Sequence, residues 1–313
     1  MNLLRAISDL KALPGPLHLA IGVFDGVHLG HSAVIERAVH SARASDGIAV
    51  VVTFDPHPAT VLRPDQAPAL LTSTRHKLRL LVALGVSHTL MRPFDDAFSK
   101  TPPAEFVSQL AAACRPLRQI CVGVNWAFGK GRAGNLNLLC ALGEKLGFDA
   151  TGVESVTMDG EAVSSTAIRA AIQRGNLTSA ARMLGREFSI FGTVQAGRQL
   201  ARTLGFPTAN VRPECEQLPP DGVYLVSANL NGISHVGIAN IGLRPTVEPN
   251  ATERLLEVHL FDFVGELVGR DLDVTFRTFL RSEKKFASVE ALQKQIVADV
   301  ARARDLAGKC ASV

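Results

Sequence analysis

The sequence predicts an α/β protein: a doubly wound parallel-sheet domain at residues 1–185, followed by a small antiparallel β-barrel domain at residues 186–313 with a C-terminal helix. Two patterns support this fold class. Short apolar runs alternate with helical patterns up to about residue 185, and from residue 186 strand-like runs follow one another across turn residues. A third observation is length, because 313 residues, 47% of them hydrophobic, suffice for two separate cores.

The first domain alternates strands with helices. The run at residues 48–54 is almost continuous Val and Ile, which is typical of a strand covered by helices on both sides. In the segment 32–42, apolar residues recur at helical spacing on one face. Strands are predicted at residues 17–24, 48–54, 88–94, 119–125 and 152–156, and helices at 32–42, 74–84, 103–114 and 177–184.

The domain boundary follows the helix at residues 177–184, whose start is marked by Asn176 and whose end is marked by Gly185. Beyond it, Asn231-Gly232 separates two strand-like runs and predicts a type I′ hairpin. Further strands are expected at residues 223–230, 233–241, 255–263 and 272–280, and a final amphipathic helix near Ser288.

Composition excludes several classes of function. The net charge of +4 suits anionic small ligands, but the basic residues are scattered, so no nucleic-acid partner is expected. The five cysteines form no CxxC pair, which argues against a zinc site or a disulfide framework. No apolar run is long enough for a membrane span, so we expect a cytoplasmic protein without a membrane partner, a monomer or a weak homo-oligomer.

Two histidines and three glycines mark a candidate phosphate site. His28 and His31 follow the first strand, with Gly22, Gly26 and Gly30 around them. Residues three apart share a helix face, so both imidazoles can point at one triphosphate beside the amides of the helix N-terminus. The alternative is that the histidines only cap or fill the helix start. Their combination with the glycines favours nucleotidyl transfer.

A second phosphate-binding signal is the segment SSTAIR at residues 164–169. Ser164, Ser165 and Thr166 lie just before a predicted helix, and Arg169 follows on its first turn. Hydroxyls, helix amides and a guanidinium can hold phosphates. Taken alone, the segment is more typical of an N-cap.

A GxGxxG pattern in the N-terminal half is typical of a dinucleotide-binding site, but the residues around it do not fit such a site. Gly129, Gly131 and Gly134 spell GxGxxG, and Glu154 follows about twenty residues later, as in a dinucleotide fingerprint. Such a fingerprint belongs in a tight turn that leaves the first strand of its unit. Here residues 126–128 intervene, and basic side chains occupy the turn, so a loop that touches phosphate is the better interpretation.

The second domain contains a candidate kinase site. Gly205 and Pro207 precede Thr208 and Asn210, which alternate onto one face of an extended segment, so both oxygens could reach a magnesium ion. A plain turn is the alternative. Glu257 lies in a strand on the face opposite Leu256 and Val258 and could deprotonate a hydroxyl, or it could be a solvent-facing charge on an edge strand.

Motifs along both halves resemble one family, the bacterial bifunctional riboflavin kinase/FAD synthetases. The adenylyltransferase half is matched by GVFDGVHLGH, TFDPHP, LGV, FGKGR and SSTAIR, within residues 15–185. The kinase half is matched by GFPTAN, DGVY, ANIGLRPTV, LEVHLFDF and RSEKKF, within residues 186–305. The resemblance implies that the second domain phosphorylates riboflavin to FMN and the first adenylylates FMN to FAD.

The resemblance also implies site residues, Mg²⁺ as cofactor and ATP as co-substrate, with riboflavin, FMN and FAD as the other ligands. The expected catalytic residues are His28, His31 and Glu257, and the expected metal contacts are Thr208 and Asn210. Nucleotide contacts are expected from Gly22, Phe24, Asp25, Gly30, Ser164, Ser165, Thr166, Arg169, Gly205 and Pro207, and flavin contacts from Asn125, Trp126, Phe128 and Arg281.

The chain departs from the family pattern at three places. Residues 125–127 read Asn-Trp-Ala where many members read Asp-Phe-Arg, and Trp126 can pack on a flavin ring. Ala201 replaces a usual glycine, and Val268 replaces a common tyrosine. Two alternatives stay open: an enzyme that adenylylates another phosphate ester, and a nucleotide- or flavin-binding regulator without catalysis.

Overall fold

The computed structural model describes residues 1–196, 205–230, 232–245 and 252–310. The chain divides into two compact units. The N-terminal unit comprises Met1–Leu70 and Thr74–Ser165, and the C-terminal unit comprises Leu71–Ser73 and Thr166–Val313. The proposed boundary after residue 185 lies two helices beyond this division and stays a prediction.

The N-terminal unit is a parallel sheet with helices between its strands. Six strands pair in the order β1-β4-β3-β2-β5-β6, all parallel. The strands are β1 (Asn2–Leu4), β2 (Leu17–Ile21), β3 (Ile48–Asp55), β4 (His88–Pro93), β5 (Leu117–Gly123) and β6 (Asp149–Val153). The helices are α1 (Leu29–Ala44), α2 (Pro58–Leu62), α3 (Thr74–Ala83), α4 (Asp96–Ser99), α5 (Pro103–Ala113) and α6 (Leu136–Leu146), and a short hairpin, β7 (Thr157–Met158) and β8 (Glu161–Ala162), follows.

Both faces of this sheet are covered. On one face Leu19 and Val52 pack with Leu110 of α5, and on the other Ala20 and Val51 pack with Ile35 of α1. Alternate residues of the same strand therefore enter different cores, which explains why the central strands have continuous apolar sequences. The doubly wound parallel sheet is confirmed.

The C-terminal unit contains a closed barrel of six antiparallel strands in the order β10-β13-β12-β11-β14-β9. Two helices precede the barrel, α7 (Ser165–Gln173), which begins in the N-terminal unit, and α8 (Leu177–Leu184). The strands are β9 (Ser189–Gln195), β10 (Ala209–Pro213), β11 (Gly222–Leu230), β12 (Ile233–Pro245), β13 (Thr252–Leu260) and β14 (Asp271–Arg281), and the chain continues into α9 (Val289–Cys310).

The last helix packs against the outside of the barrel. Ala303 of α9 is fully buried and packs with Leu225, Ile238 and Leu280. The predicted helix start is correct to one residue, because Ser288 accepts a hydrogen bond at Oγ from the backbone N–H of Ala291 at 3.2 Å. The antiparallel barrel with a C-terminal helix is therefore confirmed.

Most predicted elements are present with shifted ends. The hairpin is confirmed, because Leu230 pairs directly with Ile233 across a two-residue loop. The prediction of a strand at residues 152–156 is wrong in position, because the strand runs over Asp149–Val153. Ala201 and Asn231 lie outside the described residues. Within the ranges described, no helix is long and apolar enough to cross a membrane.

Candidate active sites

The strand order places the first candidate site. The chain moves outward from β2 in both directions of the sheet, to β3 and β4 on one side and to β5 and β6 on the other. Ligands of doubly wound sheets bind outside the carboxyl ends of the strands at such a switch point. The loop GVFDGVHLGH leaves the end of β2, and the segment that begins at Val124 leaves the end of β5, its direct neighbour.

The loop after β2 has an unusual backbone. Phe24 (φ 52°) and Val27 (φ 41°) adopt the left-handed region, which is costly for residues other than glycine. The Phe24 ring folds back over Gly22, where an added Cβ would lie 2.7 Å from the ring. Gly22 is therefore required for close approach, and Phe24 supports the loop from inside, being 2% exposed. The surrounding structure holds a strained loop in one shape.

His28 and His31 lie at the start of α1. His28 is the N-cap, and its Nδ1 accepts a hydrogen bond from the backbone N–H of His31 at 3.3 Å. The two imidazoles stack with ring centroids 3.6 Å apart and planes 20° apart. The capping alternative is thus partly correct, since His28 does cap the helix. The stacked rings nevertheless share one face, as a common phosphate target requires.

His31 is held in its neutral form. Burial lowers the pKa of His31 well below its usual value of 6.5, and the neighbouring His28 and Lys77 lower it further. Its Nδ1 atom is buried and has no hydrogen-bond partner among the described residues. A buried polar atom without a partner is costly, so this nitrogen is suited to a bond with a ligand.

Lys77 is a charged group at this site that the sequence interpretation missed. It lies on α3, is 7% exposed, and donates a hydrogen bond from Nζ to the carbonyl oxygen of Val23 at 3.0 Å. Burial lowers the pKa of Lys77, while Asp25 and Asp55 act in the opposite direction. Only the fold brings α3 to the ends of β2 and β3, so no local motif signals this lysine.

The start of the SSTAIR segment lies against the histidine loop. Ser165 donates a hydrogen bond from Oγ to the carbonyl oxygen of Asp25 at 3.0 Å. The carbonyl oxygen of Val163 lies 3.8 Å from the position of a Cβ added to Gly30. Ser164 directly precedes α7, so the predicted helix start is present.

The remaining residues of this segment lie within α7. Thr166 is its second residue and belongs to the C-terminal unit. Arg169 is the fifth residue of α7, so its placement on the first turn was wrong by one residue. The phosphate-binding roles of Ser164, Thr166 and Arg169 stay predictions.

The segment after β5 carries two stacked aromatic side chains, Trp126 and Phe128. Trp126 is half-buried and stacks on Phe128, with centroids 4.3 Å and planes 12° apart. Phe128 is 6% exposed and exchanges two backbone hydrogen bonds with Gly134. Phe128 therefore belongs to the core and supports Trp126, while Asn125 is exposed. The glycines of the rejected GxGxxG pattern close this loop rather than begin a helix after a strand.

The second candidate site is a row of polar residues across the barrel. Asn210 of β10 pairs with Glu257 of β13, which pairs on its other side with Asn240 of β12. Directly opposite residues of antiparallel strands project on the same face, with Cβ atoms roughly 5 Å apart. Leu256 and Val258 are buried, so the row lies on the outer face of the barrel, as predicted for Glu257. Asn240 had no role in the sequence interpretation.

A histidine fixes the segment that carries the predicted metal contacts. His259 and the carbonyl oxygen of Pro207 are hydrogen bonded at 2.9 Å, and the His259 ring meets Phe206 edge-on at 5.5 Å. These contacts hold the residues that follow Gly205. The φ of Gly205 is 88°, a backbone conformation that favours glycine. Among described residues, no side-chain hydrogen bond engages Thr208 or Asn210.

A cavity of about 560 Å³ opens beside this segment. Thr208 and Asn210 line it together with apolar side chains, of which Phe263 and the exposed Val264 belong to the loop after β13. Val268, the departure from the usual tyrosine, also lines it. The cavity therefore joins two oxygen donors to an apolar wall, a combination that suits a nucleotide.

Arg281, a predicted flavin contact, is engaged in the fold. It donates from Nε to both carboxylate oxygens of Asp299 at 2.9 and 3.0 Å, and from one terminal nitrogen to the carbonyl oxygen of Ser282 at 3.0 Å. Asp299 is almost fully buried on α9. This ion pair ties β14 to α9, and a direct flavin contact of Arg281 stays a prediction.

Comparisons with known proteins match each half of the chain to a family. The family model described as FAD synthetase matches residues 11–167, and the one described as riboflavin kinase matches residues 184–307. A bifunctional riboflavin kinase/FMN adenylyltransferase from Escherichia coli (strain K12) is 39% identical, with 98% of each chain covered. The chain belongs to the bifunctional riboflavin kinase/FMN adenylyltransferase family. It is an enzyme of FMN and FAD synthesis, with ATP as the co-substrate of this family.

Two further proteins match almost the whole chain. The relative from Pseudomonas fluorescens carries the same description and is 40% identical, with 99% of each chain covered. A crystal structure of a Streptococcus pneumoniae protein described as a macrolide-efflux protein has a TM-score of 0.81 and is 27% identical, with 96% of this chain and 97% of that chain covered. Both halves of the chain therefore have counterparts in each of these proteins.

Proposed function

We propose that the two reactions of this family take place at two separate sites of this chain: adenylylation of FMN at the switch point of the parallel sheet, and phosphorylation of riboflavin at the polar row of the barrel. The observation that supports this division most strongly is the polar row itself, because it joins Asn210 to Glu257 on one face without any residue of the first site.

At the switch point, His28 and His31 bind the triphosphate of ATP. A phosphate oxygen of FMN attacks the α-phosphorus, and pyrophosphate leaves. Charge develops on the α-phosphate oxygens, and the imidazole N–H groups together with the amides at the start of α1 stabilise it. Ser165, which contacts the Asp25 carbonyl, keeps the start of α7 beside this loop. Trp126 offers the flat apolar surface that a flavin ring prefers.

At the polar row, Glu257 is the general base. It accepts the proton of the terminal ribityl hydroxyl while the hydroxyl oxygen attacks the γ-phosphorus of ATP and ADP leaves. Asn240 and Asn210 flank Glu257 on neighbouring strands and orient the groups that meet there. The apolar wall of the neighbouring cavity, with Phe263, accepts the base of the nucleotide.

Thr208 and Asn210 fit a magnesium ion. Hydroxyl and amide oxygens are hard donors, and Mg²⁺ in kinases takes only one or two protein groups and completes its shell with phosphates and water. Both residues line the cavity, and no described side chain competes for their oxygens. Bound magnesium would neutralise phosphate charge, while Thr208 and Asn210 would orient the phosphates toward Glu257.

Two variants test the division of labour. The protein is incubated with ATP and magnesium, once with riboflavin and once with FMN, and the flavins are separated by chromatography. Glu257→Gln should lower FMN formation by at least about a hundredfold and leave FAD formation from FMN unchanged. His31→Gln should lower FAD formation by about a hundredfold and leave FMN formation unchanged.

Matched controls change exposed residues of the same types. His40→Gln on α1 and Glu290→Gln on α9 should keep both activities. Loss of both activities in a folded Glu257 or His31 variant would contradict two separate sites. Failure of the wild-type protein to accept FMN would favour another phosphate ester, and turnover of neither flavin would favour a binding regulator.

A further inference from the structure

A buried ammonium lies beneath the histidine loop without a place in the reaction described above. Lys77 reaches from α3 to the carboxyl ends of β2 and β3, where its Nζ donates to the Val23 carbonyl at 3.0 Å. The same carbonyl oxygen accepts a second hydrogen bond, from Thr53 Oγ1 at 2.9 Å. Thr53 is fully buried on β3. Two side chains from different elements thus hold one backbone atom of the loop.

The loop needs such support. Its residues Phe24 and Val27 have left-handed backbone conformations, which are energetically costly and persist only when neighbouring groups impose them. Asp25, between them, is 3% exposed, and a buried carboxylate is tolerated only beside a positive charge or hydrogen-bond donors. Lys77 supplies a positive charge that interacts favourably with Asp25 and with Asp55 at the end of β3.

We propose that Lys77 is a positioning residue for adenylyl transfer. Its ammonium anchors the Val23 carbonyl and offsets the buried charge of Asp25, and this keeps the strained loop in the shape that aligns His28 and His31 with the triphosphate. The inference rests on the proposed function, because it requires that the stacked histidines act on the nucleotide. Lys77 itself lies behind the loop and acts through it.

Three variants test this role in the full-length protein, with FAD formation from FMN and ATP as the readout. Lys77→Met keeps the length of the side chain and removes the charge, Lys77→Arg keeps the charge, and Thr53→Val removes only the second hydrogen bond to Val23. We expect Lys77→Met to lower kcat on the order of a hundredfold, with the KM values for ATP and FMN within about threefold of wild type, because misplaced catalytic groups affect turnover most.

Lys77→Arg should recover about tenfold of this loss, and Thr53→Val should cost about tenfold in kcat. Kinase activity and thermal unfolding are measured for each variant. A folded Lys77→Met protein with kcat near wild type, or Lys77→Arg no better than Lys77→Met, would overturn the proposal. If Lys77→Met does not fold, the test rests on Thr53→Val. A Thr53→Val protein with the kcat of the wild type would show that anchoring of the Val23 carbonyl does not matter for adenylyl transfer.

His31→Gln distinguishes a wrong role for Lys77 from a wrong adenylylation site. If His31→Gln abolishes FAD formation and Lys77→Met does not reduce it, only the positioning role of Lys77 is wrong. If His31→Gln leaves FAD formation intact, the proposed adenylylation site is wrong, whatever the Lys77 variants do.

Discussion

His31 lies in surroundings that disfavour its charged form. Burial is the main cause of its lowered pKa, and His28 and Lys77 add to it. A phosphate bound beside His31 would add a negative charge near its buried ring, and this favours protonation. The surroundings of His31 therefore favour a neutral imidazole, which a bound nucleotide would polarise.

The lowered pKa of His31 has a consequence for stability. The unfolded chain takes up a proton at this histidine as the pH falls below 6.5, whereas the folded chain resists it. The contribution of His31 is therefore complete above pH 6.5 and is lost as the pH falls toward the folded pKa, at most about 1.4 kcal/mol per pH unit. His31→Gln should accordingly reduce the loss of stability between about pH 7.5 and about pH 5.5.

Trp126 allows the stability of the N-terminal unit to be measured by itself, because it is the only tryptophan in the sequence and lies in that unit. Urea unfolding followed by tryptophan fluorescence gives the free energy of unfolding at each pH. His40→Gln, an exposed histidine on the same helix, is the control and should retain the acid sensitivity of the wild type. Equal acid sensitivity of His31→Gln and wild type would show that His31 is not the group responsible.

At the scale of elements, the docking of α9 depends on a buried ion pair. Arg281 of β14 and Asp299 of α9 are bound by two hydrogen bonds from Nε and a further contact at 2.8 Å, and their side chains are 15% and 6% exposed. Such a pair is costly to desolvate, but removal of one partner leaves the other buried and uncompensated. Asp299→Ala should therefore destabilise the barrel by about 3 kcal/mol.

Calorimetry of the barrel transition measures this effect. Asp305→Ala is the matched control, because its ion pair with Lys309 on the same helix is exposed and should contribute less than about 0.5 kcal/mol. The double variant Arg281→Met with Asp299→Leu should recover most of the loss, since it removes both charges. An Asp299→Ala protein as stable as Asp305→Ala would contradict the structural role of the pair.

Elements with strong periodicity were predictable from the sequence, and short or edge elements were not. Helix α8 is correct at both ends, because Asn176 caps its start through Ser179 and Gly185 ends it in a left-handed conformation. The edge strand β6 is only half-buried, so its hydrophobic pattern is weak and the predicted segment was displaced. Strand β1 has three residues, too few for any period, and was missed.

The candidate sites were predictable where a local motif carries them. His28, His31 and Glu257 were found from spacing, alternation and family resemblance. Lys77 and Asn240 were not, because Lys77 joins the first site through the packing of α3, and Asn240 joins the second through the register of β12 with β13. Local sequence encodes neither packing partner nor register, and these residues became visible only in the folded chain.

At the scale of the whole molecule, the two reactions use the same co-substrate in succession, and we propose a separate site for each. FMN is the product of the barrel and the substrate of the parallel-sheet unit, so FAD formation from riboflavin requires both sites to be intact. The catalytic groups that we propose for the two reactions are separate, with the histidines in one compact unit and Glu257 in the other. The two sites need not belong to one chain for the sequence of reactions to proceed.

Mixing two variants that each lack one of the two activities tests most directly whether the two reactions take place at separate sites. His31→Gln and Glu257→Gln are incubated separately and together with riboflavin, ATP and magnesium, and FAD is measured by chromatography. The account predicts almost no FAD from either variant alone and FAD from the mixture, because FMN released by the first variant is adenylylated by the second. FAD formed by either variant alone at the wild-type rate, or no FAD from the mixture, would contradict it.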